Sequence, residues 1–453
     1  MPVAGEPRDA ILPAPVERVL DNGLRVVAFA QHNLPLVAAQ LFVGCGGAAE
    51  REDEAGLSAL VGALLTQGTT RRGATELAAA SDALGARLLA ASGYDASVVS
   101  VSATTPAFPP AFELLDEVVR RPAFEPHEVD RVVTKSISDL ALTYANPSAV
   151  ARAVAYRVAY GGAPYGHPLI GTAATLQKLT RDRIAWFYER FYRPDDAVLV
   201  IGGDLEVDAA FTLAERVLGS WRAPQTTIGE RPHGDAPAPR ARTVIVDKPD
   251  AGRTALVAGR LNIERGSPEF YAAMVATAVL TGYSGRLNQE IRVKRGLSYG
   301  AAAALNARRQ RGTFMATTLV DHARAPEATD VMLAAIRSLA DTPAGDDDLV
   351  ARKATVTGGF YRGIETVDGI TAAVGEYVLY DVPLDEIRNF ARLAQAVDAE
   401  SVRAYAARHL SSDMFVVLVG DASKFADEIA RTHADVRVIP SAELDLGSPS
   451  LGG

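Results

Sequence analysis

Arg292 and Tyr299 are the two residues whose types and spacing suggest chemistry. They lie in LTGYSGRLNQEIRVKRGLSYGAAAA, residues 280–304. A guanidinium and a phenol held side by side form a donor cluster suited to a carbonyl oxygen or a developing oxyanion. For that, the chain must form a short helix, stop sharply and turn into a strand. Ser284 is expected to cap the helix, because its hydroxyl can accept from a free N–H of the first turn. Leu287 and Ile291 recur at helical spacing. Lys294 and Arg295 suit the negative helix end, and Gly296 can take the left-handed cap. On spacing alone, the same residues also read as a solvated helix face and a core tyrosine.

Composition sets the outer limits. The chain has 453 residues, 48% hydrophobic and 22% charged, which is ordinary globular material with ample core. Its net charge of −9 is spread without a basic block, which argues against a nucleic-acid groove. Cys45 is the only cysteine, so neither an intrachain disulfide nor a cysteine metal cluster is possible. The start, MPVAGEPRDAILPAP, shows no basic n-region and no apolar h-region. A cytoplasmic location is expected on that ground, or a periplasmic one if the start is processed or engineered. Phe270 to Gly285 is too short and too polar for a membrane span.

Asn22-Gly23 between two apolar runs predicts a hairpin, Val16–Leu20 with Leu24–Ala30. A strand over Leu36–Gly44 and an apolar helix over Ala55–Thr66 follow. A second helix over Thr75–Leu84 precedes paired strands Arg87–Ala91 and Ala96–Ala103. Pro126 and nearby acids open a long helix. The run Tyr188–Asp204 then recurs as Tyr405–Asp421, and the helix from Glu125 has a counterpart near Asp346. One such repeat predicts an α+β fold of two homologous domains, each a mostly antiparallel sheet with helices packed on it. The boundaries expected are 1–221, an extended Pro-rich linker 222–242, then 243–440. The Gly/Ser/Pro-rich residues 441–453 are expected to be flexible.

The segment Ser284-Gly285-Arg286-Leu287, then Arg292 to Tyr299, resembles the S-x-R-L … R-x-x-x-G-L-x-Y signature of pitrilysin/insulinase-family metallopeptidases. The loop Tyr165–Thr172 and the run Phe191–Asp204 resemble that family's first domain, so the likeness spans nearly the whole chain. The resemblance implies that Arg292 and Tyr299 contact substrate backbone near the scissile bond. It also implies zinc on the first domain, held through H-x-x-E-H and a later Glu. Here Ala59, Gly62 and Ala63 stand at the motif positions, and Asp139 falls near the third ligand. Asp139 reads as a surface acid. None of His32, His127, His167, His233, His322, His409 and His433 lies within five residues of another, so no local ligand pair replaces the motif.

Keeping the Arg/Tyr half without the zinc half resembles the non-catalytic subunit of a heterodimeric processing-type peptidase. That implies no cofactor in this chain, zinc in a homologous partner subunit, and an extended peptide as shared substrate. A scaffold subunit and a stand-alone peptide-binding protein of the same fold are the alternatives.

Overall fold

The structure is a computed structural model that describes residues 12–225, 228, 236–238 and 242–452. The linker expected at 222–242 therefore falls largely outside the described residues. Asn22-Gly23 makes the expected hairpin: β1 (Val16–Val19) runs antiparallel to β2 (Arg25–Ala30). Gly23 takes φ +88°, a conformation that favours glycine, and the Asn22 side chain accepts from the Leu24 N–H at 3.2 Å. β3 (Leu36–Val43) leads to α1 (Leu57–Leu64) and α2 (Ala74–Ala83). Next come β4 (Arg87–Ser92), β5 (Ser97–Thr104), α3 (Phe108–Arg120), α4 (Pro126–Ala145) and α5 (Pro147–Tyr160). β6 (Ala197–Gly203) completes a six-stranded sheet ordered β1-β2-β6-β3-β5-β4.

The second half repeats the plan with β7 (Thr243–Asp247), β8 (Thr254–Leu261), β9 (Ala301–Asn306), β10 (Thr313–Val320) and β11 (Phe415–Gly420). Its sheet is ordered β12-β7-β11-β8-β10-β9, with β12 spanning Val436–Pro440. Strands β2 to β6 correspond to β7, β8, β9, β10 and β11 in order and pairing. Parallel pairing is confined to β2·β6, β7·β11 and β7·β12. Only the outermost strand differs: β1 is one arm of a hairpin, whereas β12 arrives parallel from the C-terminal end.

The central strands of each sheet are buried on both faces, and the covers are exchanged. Along β2, Val26 and Ala28 join one core with α1, α3 and the helix Val207–Leu218. Val27 and Phe29 point the other way, as strand alternation requires. They meet Ile370, Val374 and Val378 of the helix Val367–Leu379, which belongs to the second half. Reciprocally, Val150, Val154 and Val158 of α5 cover Val244, Val257 and Val417 of the second sheet. A Cβ on Gly375 would lie 2.0 Å from the Phe42 ring, so only glycine lets that helix seat on β3. Gln40 adds hydrogen bonds across the same seam, to the Asp368 carbonyl at 3.0 Å and the Thr371 hydroxyl at 3.2 Å.

The tail expected to be flexible is instead packed. Leu446 and Leu451 are buried in the α5 core. The reason is Arg157, whose fully buried guanidinium requires acceptors. It donates to the carbonyls of Leu446 (2.9 Å), Gly447 (3.0 Å) and Gly161 (3.0 Å), and to Glu52 at 2.6 Å. No helix among the described residues is long and apolar enough to cross a membrane.

Candidate functional site

The Arg292/Tyr299 segment departs from the simple helix expected. A single turn, Arg286–Asn288, passes into a π-helical turn, Gln289–Val293. Ser284 does not cap it. Gly285 occupies that position, where a Cβ would lie 2.3 Å from the Thr281 carbonyl oxygen. The Ser284 hydroxyl instead accepts from Arg352 at 3.0 Å. Leu287 and Ile291 are buried as expected, and Gly296 takes φ +60°. The wider π turn lets Lys294 N–H reach the Gln289 carbonyl at 3.0 Å.

Both candidate residues are exposed, and each faces a different partner. The Arg292 guanidinium lies 5.1 Å over the Tyr283 ring, and Tyr299, 78% exposed, receives Arg253 at 5.2 Å. Tyr299 sits in a bend two residues ahead of β9 rather than within the strand. Glu290 is taken by Lys294 (2.5 Å) and Arg295 (2.6 Å), which hold its carboxyl below the usual range. The Arg292 guanidinium is left with no hydrogen bond or ion pair among the described residues. Its planar fork is thus open to an external acceptor.

Asn288 was not singled out by sequence, yet it positions the pair. Its amide donates to the carbonyls of Gly282 (2.8 Å) and Ala301 (2.9 Å), and its oxygen accepts from Ala301 N–H at 3.0 Å. Thr281 makes the same two-way bond to Ala303, at 2.8 and 2.9 Å. These two side chains occupy the outer edge of β9. The bend carrying Tyr299 is pinned by Ser298 Oγ to the Leu319 carbonyl (2.8 Å) and by Thr318 Oγ1 to the Gly300 carbonyl (2.9 Å). The corresponding edge in the first sheet, β4, differs. No side chain among the described residues bonds its outward backbone groups.

Next to that edge lies α1. Gly62 is packed so closely that a Cβ would be 3.1 Å from the Ala91 carbonyl carbon of β4. Ala59 is half-buried and Ala63 exposed on the same helix. Methyl groups and a bare Cα offer no donor atom to a metal, and Asp139 is exposed and paired with Lys135 one turn away. These residues do not fit a zinc ion. No group of three metal-ligating side chains occurs among the described residues. His167 is buried and meets Glu50 at 3.2 Å, while Glu50 accepts from the N–H groups of Gly56 (3.0 Å) and Ser58 (2.5 Å). That buried pair ties the Tyr165–Thr172 loop to the start of α1. Glu50 carried no sequence signal.

Fold and site together define a chain of two duplicated α+β halves whose helix α1 offers no metal-donor atom at positions 59, 62 and 63. The family model described as insulinase (peptidase family M16) matches residues 25–173, and that of the peptidase M16 inactive domain matches 178–356. The chain belongs to this family. It is 27% identical over 411 residues to an uncharacterized zinc protease of Mycobacterium bovis, covering 88% of this chain and 91% of that one. A second uncharacterized zinc protease, from Streptomyces coelicolor, is 24% identical over 437 residues, covering 91% and 92%. The peptidase M16 inactive domain from Pseudomonas fluorescens superposes with a TM-score of 0.84 at 22% identity, covering 90% of this chain and 98% of its own. A protease from Helicobacter pylori gives 0.84 at 18%, covering 90% and 100%.

Proposed function

We propose that this chain is the non-catalytic subunit of a heterodimeric zinc metallopeptidase and binds extended peptide for a zinc-bearing partner of the same family. One contrast carries the reading: α1 has no donor atoms at the motif positions, while Arg292 and Tyr299 stand exposed with their polar groups available. The partner supplies the zinc and the general base. In this chain the Arg292 fork grips a peptide carbonyl through parallel N–H bonds, and the Tyr299 hydroxyl donates to the oxygen that becomes negative. Extended peptide pairs with a free sheet edge. β4 suits that role better than β9, whose edge Asn288 and Thr281 already occupy.

The test is purification of the chain from its host under native conditions, followed by reconstitution from separate parts. The expected result is a partner of similar size carrying H-x-x-E-H, with cleavage of an unstructured peptide by the mixture. Stoichiometric zinc and peptide cleavage by this chain alone would overturn the reading.

A further inference from the structure

A cleft of about 570 Å³ lies between α2, α3 and the end of the helix Val207–Leu218, lined by Arg71, Arg72, Arg120, Arg121 and Arg216. The whole chain carries a net charge of −9, so five guanidiniums around one concavity reverse the local sign. Three carboxylates share the cleft. Glu117 pairs with Arg72, Asp116 with Arg120 (3.1 Å) and Arg121 (3.3 Å), and Glu113 with Arg216 at 3.4 Å. Five cations against three anions leave two positive charges unbalanced.

Arg71 is the one cation of the cleft with no direct hydrogen bond or ion pair from its guanidinium among the described residues; it meets Asp116 only through the longer-range field. Its backbone is nevertheless fixed. Thr69 Oγ1 accepts from the N–H groups of Arg71 (3.1 Å) and Arg72 (3.0 Å) and donates to buried Glu117 at 2.5 Å. The Thr70 N–H bonds the Arg121 carbonyl at 2.9 Å. The turn is thereby bolted to the end of α3, which fixes the Cα from which Arg71 reaches the cleft. Between and beside the charged side chains, Leu84, Leu114 and Val217 contribute an apolar part of the wall.

We propose that this cleft binds a small molecule bearing a diphosphate group. Guanidinium forks match phosphate oxygens bidentately, and a concavity with a low-dielectric wall strengthens the attraction. The two uncompensated charges suit a diphosphate, and the apolar wall suits the remainder of such a ligand. This site is independent of the peptide-binding reading, because it uses neither Arg292 nor Tyr299.

The experiment is calorimetric titration of the full chain with pyrophosphate, ADP and, as a non-phosphate anion, citrate. Pyrophosphate and ADP should bind saturably, and Arg71→Ala should weaken both by about tenfold, with Arg71→Glu weaker still. The unliganded melting temperature of Arg71→Ala should stay close to wild type, since the exposed side chain has no direct hydrogen bond or ion pair to lose and Asp116 keeps Arg120 and Arg121. ADP binding tighter than pyrophosphate supports the proposal with the apolar wall in use; equal affinities support it for the diphosphate alone. Absence of binding at millimolar pyrophosphate and ADP, citrate binding as tightly as pyrophosphate, or undiminished binding by Arg71→Ala would each overturn it.

Discussion

The Tyr299 hydroxyl is one atom on an exposed ring, so its removal separates chemistry from folding. Tyr299→Phe should leave stability and subunit assembly intact. It should nevertheless lower turnover by the reconstituted pair by about ten- to a thousandfold, mainly in kcat. Arg292→Ala should lower kcat and also raise KM, because on the proposed reading the guanidinium would grip the ground state as well. Steady-state cleavage of an unstructured peptide, with the partner held constant, decides this. Wild-type kinetics from both variants would return the two residues to an ordinary solvated surface. At the bare helix, the purified chain should carry no stoichiometric zinc by elemental analysis. The triple change Ala59→His, Gly62→Glu and Ala63→His should not install activity. Position 62 lies against the β4 backbone, and Asp139 is committed to Lys135. The shell that orients ligands is missing as well. Vigorous cleavage by the triple variant would show the helix closer to a working site than its packing indicates.

At the scale of elements, Asn288 is the joint between the π turn and β9. Asn288→Ala would strip Ala301 of both backbone partners in a buried setting, at about 1–3 kcal/mol for each group left unmet. It should lower the melting temperature and misplace Tyr299, reducing kcat of the reconstituted pair. Wild-type turnover in a folded Asn288→Ala protein would count against this positioning role. A second joint, at the ends of β2 and β6, is ionic. His32 Nδ1 meets Asp204 at 2.8 Å, and Thr105 donates to the same carboxylate at 2.9 Å. The bond raises the His32 imidazole above 6.5 and lowers the Asp204 carboxyl below 3.8. The histidine's contribution is therefore complete below 6.5 and fades as pH climbs through its raised value. The aspartate's is complete above 3.8 and fades as pH drops through its lowered one. An NMR titration should place the His32 midpoint above 6.5 in wild type and lower in Asp204→Asn. Identical midpoints would dismiss the bond.

Elements also show what the sequence could and could not reveal. Asn22-Gly23, the alternation along β2 and the recurrence of Tyr188–Asp204 at Tyr405–Asp421 each act locally, so hairpin, strands and duplication were legible. The Arg292/Tyr299 segment was singled out through its family signature, while its π turn was not foreseen. The Ser284 cap failed because Gly285 alone fits against Thr281, a steric fact invisible in propensity. Asn288, Thr281 and Glu50 act through backbone groups that are distant in sequence, so nothing in their neighbourhood announced them. The packed tail was missed for the same kind of reason. Its partner, Arg157, lies 289 residues away from Leu446.

For the whole molecule, the exchanged helices mean that neither half owns a complete core. Residues 1–221 expressed alone would expose Val27, Phe29, Phe42 and Val200, each worth about 1.5–3 kcal/mol when buried. That fragment should aggregate or remain molten by near-UV circular dichroism, and so should 243–453. Mixed during refolding, the two should recover the native spectrum, since each carries the other's missing cover. A cooperative native melt from either fragment alone would contradict this dependence. The same exchange governs motion. A chamber built from such chains has no hinge available inside a chain, because opening between the halves would tear two helices from their sheets. In the proposed heterodimer each chain would therefore swing as a single rigid jaw, and admission of substrate would fall to the contact between the two chains.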